Sequence, residues 1–181
     1  MQWGNSANRY GVVTKSLHWL TALLILGLIW LGWYMVDLSY FDRWYTESLT
    51  WHRVLGLLVF ALGVATLAWR LVSPSPPSVP TLKPWERALG TAMHHLLFLM
   101  VFAIPVSGYL VSTSAGKSID VFGWFVVPAL VDVDSTLRDI AIEVHYYLAY
   151  STAALVTMHA GAALKHQFFD RDGTLARMIW K

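Results

Sequence analysis

Four apolar runs constrain this chain more than any other feature. They cover roughly Leu17–Val36, Leu49–Leu71, Ala88–Val111 and Ile140–Ala163. Each matches the ~20 residues that a helix needs to cross a hydrocarbon layer about 30 Å thick. In lipid every backbone polar group must be satisfied internally, so runs of this length read as helices. The expected architecture is all-α: one domain over 1–181, an integral membrane four-helix bundle with helices over about 14–37, 48–72, 85–112 and 136–169. The first run is too long for a signal peptide and has no small-residue cleavage site. A fifth apolar run, Val121–Val131, has about half the spanning length and contains Gly123 and Pro128. It reads as a segment lying at the interface, over about 118–131.

Charge orients the helices, because short loops on the cytoplasmic side carry an excess of Lys and Arg. The N-terminus, the second connection and the C-terminal tail hold nine basic residues (Arg9, Lys15, Arg70, Lys83, Arg87, Lys165, Arg171, Arg177, Lys181) against Glu86, Asp170 and Asp172, a surplus of +6. The other side holds Arg43, Arg53, Lys117 and Arg138 against eight acidic residues (Asp37, Asp42, Glu47, Asp120, Asp132, Asp134, Asp139, Glu143), a sum of −4. Both termini are therefore expected in the cytoplasm. The ten Trp and eight Tyr suit a protein with two membrane interfaces to populate. Charged residues are only 13% of the chain, against about 25% in a soluble domain. With no cysteine, disulfides, thiolate catalysis, iron–sulfur clusters and covalently attached haem are excluded. No basic tract points to nucleic acid.

Met1 to Lys15 is a polar arm expected on the cytoplasmic surface. Ser73–Pro84 carries five prolines and reads as a stiff extended connection. PxxP within it is far more often a linker than a binding motif.

The chemistry lies in the histidines, which are costly inside a membrane and by default functional. His145 and His159 lie fourteen positions apart in the fourth run. At 100° per residue they share a face, and they are about 21 Å apart along the axis. Ala149, Thr152, Ala153, Ala160 and Ala163 share that face. Small residues between two buried imidazoles leave room for something large and flat. Close helix packing is the plainer account of such a stripe, and for one histidine it would be preferred. Depth adds a second argument. His52 starts the second helix on the outer side, level with His145, and His18 starts the first on the inner side, level with His159. Two bis-imidazole haem sites follow, stacked across the bilayer. Filled axial positions leave no open site for oxygen, so such haems move electrons. His94 and His95 are 100° apart and cannot both face inward; by depth either can replace His18. Gly56 and Gly63 share the face of His52 and permit close approach of a helix or a porphyrin. Arg53 stands where a haem propionate wants a cation, and Arg70 occupies the corresponding inner position; snorkelling is the plainer reading of both.

The chain also resembles a known family. Ser16-x-His18-Trp19 opens the first helix, Trp51-His52 the second and Val144-His145 the fourth, and His159-Ala160 follows. The Pro-rich connection and the tail Ala-Leu-Lys-His-Gln-Phe-Phe-x-x-Asp-x-Thr-Leu-x-Arg-Met complete a pattern similar to the bacterial cytochrome b561 family. The resemblance covers nearly the whole chain. It implies two haem b groups in the inner membrane, ligated by His52 with His145 and by His18 with His159. It also implies ubiquinone near the inner haem, where His166 matches the family's inner-end histidine and Lys83 the basic residue ending the Pro-rich loop; Ser16, near both, is a lesser candidate contact. His166 lies seven residues beyond His159, nearly on the same face.

Three functions compete. Family members resemble superoxide:ubiquinone oxidoreductases, which pass an electron from periplasmic superoxide to the quinone pool. Superoxide is an anion and calls for cationic steering, for which Arg53, Lys117 and Arg138 are the available groups. The acidic outer side suits a periplasmic redox protein or dehydrogenase at least as well, as with the related cytochrome b subunits of hydrogenases and formate dehydrogenases. The third reading is a haem-free transporter using its histidines for a transition metal.

Overall fold

The structure is a computed structural model that describes residues 2–179. Met1 of the polar arm and Lys181, one of the inner-side cations, lie outside the described residues, as does Trp180. Four long helices make up most of the chain: α1 Val12–Val36, α2 Tyr45–Val72, α3 Pro84–Ser112 and α4 Ser135–Lys165. A hairpin of two short antiparallel strands, β1 Ile119–Val121 and β2 Phe125–Val127, separates α3 from α4. A single π-helical turn, His166–Asp170, extends α4, and a short helix α5, Ala176–Ile179, follows.

Helix boundaries follow local chemistry. Pro84 opens α3, where a missing N–H costs nothing, and Glu86 reaches back to accept the Lys83 N–H at 3.1 Å. Asp134 caps α4 by accepting the Leu137 N–H at 2.7 Å. Helix α2 ends where the prolines begin, because the residue before a proline disfavours the helical region.

Three helices, α1, α2 and α3, are long and apolar enough to cross a membrane. Helix α4 has 31 residues and the length to do so. Its four charged residues, Arg138, Asp139, Glu143 and Lys165, together with its histidines and tyrosines, lower its mean hydropathy below that of the other three. Neighbours in sequence pack side by side: α1 on α2, α2 on α3, α3 on α4. The α2–α3 seam closes at Gly63, where a Cβ would lie 2.6 Å from Val101 Cγ1 and 3.1 Å from the Phe102 ring.

One end of the bundle is capped by three segments far apart in sequence. Asn5 is its hub. Its side chain accepts the Gly11 N–H at 2.9 Å and the Thr14 hydroxyl at 2.8 Å, and donates to the Ser73 carbonyl at 2.9 Å. Arg177 donates to the Pro77 carbonyl at 2.9 Å, and the Trp19 indole to the Met178 carbonyl at 2.9 Å. The N-terminal arm, the Pro-rich connection and the tail therefore share one end. Gly11 permits the arm to fold back, since a Cβ there would meet the backbone of Trp3 and Gly4.

At the other end, the segment expected to lie at an interface is the β-hairpin. Ile119 and Val121 are buried and Asp120 is exposed, a period of two. The turn holds Phe122 and Gly123 at φ 52° and 74°. A left-handed Phe is costly, and its ring is held 4.7 Å from that of Trp51 on α2.

The Gly63 contact predicts that Gly63→Ala destabilises the bundle by about 1–3 kcal/mol through overpacking. Gly27→Ala meets nothing within 4 Å and should be neutral or stabilising. Thermal unfolding of the two variants in detergent checks this; equal midpoints would refute it.

Candidate functional site

Helix α4 presents Ala141, His145, Ala149, Thr152, Ala153, His159 and Ala163 inward, at helical spacing. Two pairs of imidazoles form across it. His52 of α2 and His145 have ring centroids 6.1 Å apart, and His18 of α1 and His159 have centroids 6.3 Å apart. Two imidazoles bonded at about 2 Å to opposite sides of one metal ion place their centroids about 6 Å apart. The pairs also fix helix direction. The start of α1 meets the end of α4, so those two are antiparallel; the start of α2 meets the start of α4, so those two are parallel. The pairs are fourteen residues apart on α4, about 21 Å by helical rise.

His145 has its tautomer set. Its Nδ1 lies 3.2 Å from the Ile104 carbonyl and 3.0 Å from Ser107 Oγ, whose own hydroxyl donates to the same carbonyl at 2.8 Å. A carbonyl only accepts, so Nδ1 carries the proton and Nε2 presents a lone pair. This is how a metal-binding imidazole is normally oriented by its outer neighbours. Gly108 makes room for the ring: a Cβ there would stand 3.1 Å from His145 Cε1. On the facing side, Gly32 of α1 comes within 3.4 Å of His52 Cε1 by the same measure.

Two polar atoms lining the helix interior are buried without partners, His52 Nδ1 and Thr152 Oγ1. Thr152 is 1% exposed and lies midway between His145 and His159. Orphaned polar atoms at this depth cost roughly 1–3 kcal/mol each and mark a place where a polar or metal-bearing group belongs. Paired imidazoles at ligand spacing, a preset tautomer and a wall of small residues together fit a haem.

The inner pair has a third member. The His94 ring centroid is 5.4 Å from that of His159, closer than His18. Phe98, one turn on from His94, carries the Arg70 guanidinium 4.4 Å above its ring, which draws that cation towards the inner cluster. Arg53 is exposed beside His52. Arg138 is bound to Asp139 at 2.8 Å, so its charge is offset locally.

The residues expected to meet a quinone lie at the capped end. His166 begins the π-helical turn, with Nδ1 2.7 Å from Asp172 and 2.9 Å from Asp170. Lys165 bridges Asp170 at 2.7 Å and Glu86 at 3.0 Å. Lys83 is exposed at the cap of α3, one turn before Glu86, and Ser16 is exposed on the second turn of α1. Sequence reasoning did not find the Glu86–Lys165–Asp170 network or Asp172. The i,i+4 spacing of His166 and Asp170 is a signal for their contact, whereas Glu86 comes from another helix and Asp172 lies beyond the π turn, where spacing carries no signal.

These features define a class: a helical membrane protein with paired imidazoles along its interior. A family model described as prokaryotic cytochrome b561 matches residues 9–181, and the chain belongs to that family. It is 43% identical over 181 residues to "Cytochrome b561 homolog 2" of Escherichia coli, covering 100% of this chain and 96% of the relative. It is 28% identical over 175 residues to "Probable superoxide oxidase CybB" of Yersinia pestis, covering 96% of this chain and 97% of the relative. It is also 28% identical over 176 residues to "Cytochrome b561 homolog 1" of Escherichia coli, covering 95% and 97%. The chain is accordingly a membrane electron-transfer protein of the cytochrome b561 family, and the family implies haem b.

The close approach of Gly108 to His145 yields a prediction. Gly108→Val should push the ring off the Ile104 carbonyl and lower the haem bound per protein. Quantifying haem in purified protein checks it, with Gly27→Ala as the control; full haem content in Gly108→Val would refute it.

Proposed function

We propose that this protein is a di-haem b cytochrome of the bacterial inner membrane that moves electrons from the periplasmic side to ubiquinone on the cytoplasmic side. Helices α1 to α4 all cross the membrane as one domain over 1–181, with the capped end and both termini in the cytoplasm. The surplus of +6 at that end against −4 at the other supports this orientation. His52 with His145 forms the outer ligand pair and His18 with His159 the inner pair. The observation that carries the proposal is the occurrence of two imidazole pairs, 6.1 and 6.3 Å apart, about 21 Å from each other along one helix. A haem b held by each imidazole pair would supply one-electron transfer without oxygen activation.

The protein's own groups divide the remaining work. Ser107 and the Ile104 carbonyl hold His145 in one tautomer. Arg53 is the cation for a carboxylate at the outer site. Lys83, Ser16 and His166 surround the quinone, where Lys83 opposes negative charge on its oxygens and His166 exchanges a proton.

Superoxide is the electron donor in the first reading, supported by the name of the Yersinia pestis relative. A periplasmic redox protein or dehydrogenase is the second. The acidic outer side favours it, and so does the pairing of Arg138 with Asp139, which weakens cationic steering.

The ligand assignment predicts that His52→Ala or His145→Ala removes one of two haems and leaves the other. His18→Ala or His159→Ala should remove the second, and His94→Ala should retain both. Haem quantification with absorbance spectra checks this. Loss of a haem in His94→Ala but not in His18→Ala would transfer the inner ligand to His94.

The electron route predicts rapid haem reduction by superoxide in stopped flow, followed by reoxidation with a soluble quinone. His166→Ala should keep full haem content and near-normal reduction, while reoxidation slows roughly 100-fold, the scale of a lost acid–base group. No reduction by superoxide would leave the protein-donor reading in place. Unchanged reoxidation in His166→Ala would move the quinone away from His166.

A further inference from the structure

We propose that Asp172 is the positioning residue of the inner site: it holds His166 by Nδ1 so that protons are exchanged with the quinone only at Nε2. The inference rests on the quinone reading of His166 given above. Asp172 reaches His166 because the π-helical turn His166–Asp170 and the left-handed Arg171, φ 51°, fold the tail back under the ring. The carboxylate is 5% exposed. One oxygen lies 2.7 Å from His166 Nδ1 and the other accepts the Thr174 N–H at 2.8 Å. Both oxygens are therefore engaged and the side chain has one rotamer to offer. Asp170 also faces Nδ1, at 2.9 Å, but it is 34% exposed and already bridged by Lys165 at 2.7 Å.

An ionised carboxylate only accepts hydrogen bonds. Burial pushes the Asp172 carboxyl up, but the Thr174 and His166 bonds outweigh it and hold the group below the ordinary carboxylate range. Asp172 therefore requires a proton on Nδ1 of His166 at all times and leaves Nε2 as the exchanging atom. This is the logic by which a buried carboxylate orients a catalytic imidazole. Reducing a quinone to its quinol takes two electrons and two protons. The electrons are those the chain's electron-transfer activity delivers. Nε2 carries no proton in the Nδ1–H tautomer, so it first takes one from water; that N–H bond then breaks as an O–H bond forms on a quinone oxygen. The ring is left in its Nδ1–H form with Nδ1–H still on Asp172. The second proton comes from water at the exposed edge. Quinol oxidation runs through the same atoms in reverse.

Asp172→Asn is the informative change, because the amide oxygen can keep the Thr174 bond while the amide N–H group opposes Nδ1–H. Two measurements on full-length, haem-loaded protein test it. Nitrogen NMR with labelled histidine, with the His166 signal assigned by its loss in His166→Ala, should show the Nδ1–H tautomer in the native chain. Asp172→Asn should shift it towards Nε2–H. Reoxidation by a soluble ubiquinone analogue should lose tenfold or more in kcat with KM within about twofold, while haem content and reduction stay unchanged; an orienting carboxylate acts on proton transfer rather than on binding. Asp172→Glu should recover part of the rate. If His166→Ala slows reoxidation but Asp172→Asn changes neither tautomer nor kcat, the positioning role is wrong and the quinone site stands. If His166→Ala has no effect, both fall.

Discussion

An imidazole within an apolar bundle is expensive unless both of its nitrogens are used, and the interior of this protein is arranged around that requirement. At His145 the requirement is met asymmetrically. Nδ1 donates to a backbone carbonyl of α3, and Nε2 is left with a lone pair on a ring whose centroid is 6.1 Å from that of His52. Helix α3 thereby serves as the outer support of a site to which α2 and α4 bring the imidazoles. The contact needs the Ile104 carbonyl, the Ser107 hydroxyl and the absence of a side chain at Gly108. A run that reads in sequence as a Pro- and Gly-interrupted spanning helix is thus also the device that sets a tautomer.

Helix α4 is the least apolar of the four helices, through Arg138, Asp139, Glu143 and Lys165 towards its ends and through the small and polar residues of its inner face. A helix that lines a cofactor site exchanges bulky aliphatic residues for small ones and carries polar atoms on its inner face. Ala149, Thr152 and Ala153 lie between its histidines. Hydropathy alone would therefore rank α4 last, whereas its face periodicity and the spacing of its histidines single it out. That much was legible from the chain: spans, face and depth follow from 3.6 residues per turn and 1.5 Å per residue. The three-residue strands were legible in part, since Ile119-Asp120-Val121 alternates as a half-buried strand does and Gly123 marks a turn. An apolar run containing Gly and Pro still reads more readily as irregular structure.

What sequence could not supply is contact between elements that periodicity does not relate. His94 approaches His159 more closely than His18 does, which depends on how α3 is rotated against α4 and not on either helix alone. Asp172 lies six residues from His166, a separation that puts it off the histidine's face of a regular helix. It meets the ring because one π turn and one left-handed residue redirect the chain. Asn5 likewise reads as part of a polar arm. Its role as the hub of the cap depends on Gly11 letting the arm return on itself and on Ser73 arriving at the end of α2. Such contacts are few, polar and tertiary, the kind that composition and spacing do not encode.

The two ends of the bundle apply charge differently. At the capped end the acidic groups are not spare: Glu86 and Asp170 bind Lys165, and Asp170 and Asp172 hold His166. At the opposite end the ion pair of Arg138 with Asp139 joins residues adjacent in sequence and ties no elements together. Order there comes from Tyr109, whose hydroxyl donates to the Pro128 carbonyl at 2.8 Å and accepts the Leu130 N–H at 2.7 Å, and from the buried Val133 and Thr113. An end braced by neutral contacts leaves its surface charge available for a partner. With Arg138 offset by Asp139, Arg53 stands exposed beside His52 at an end whose formal charges sum to −4. A small anion would be drawn in only locally by Arg53, whereas a basic protein surface would meet attraction across the whole end. In the proposed function the donor would therefore be selected at the outer rim, independently of the imidazole pairs.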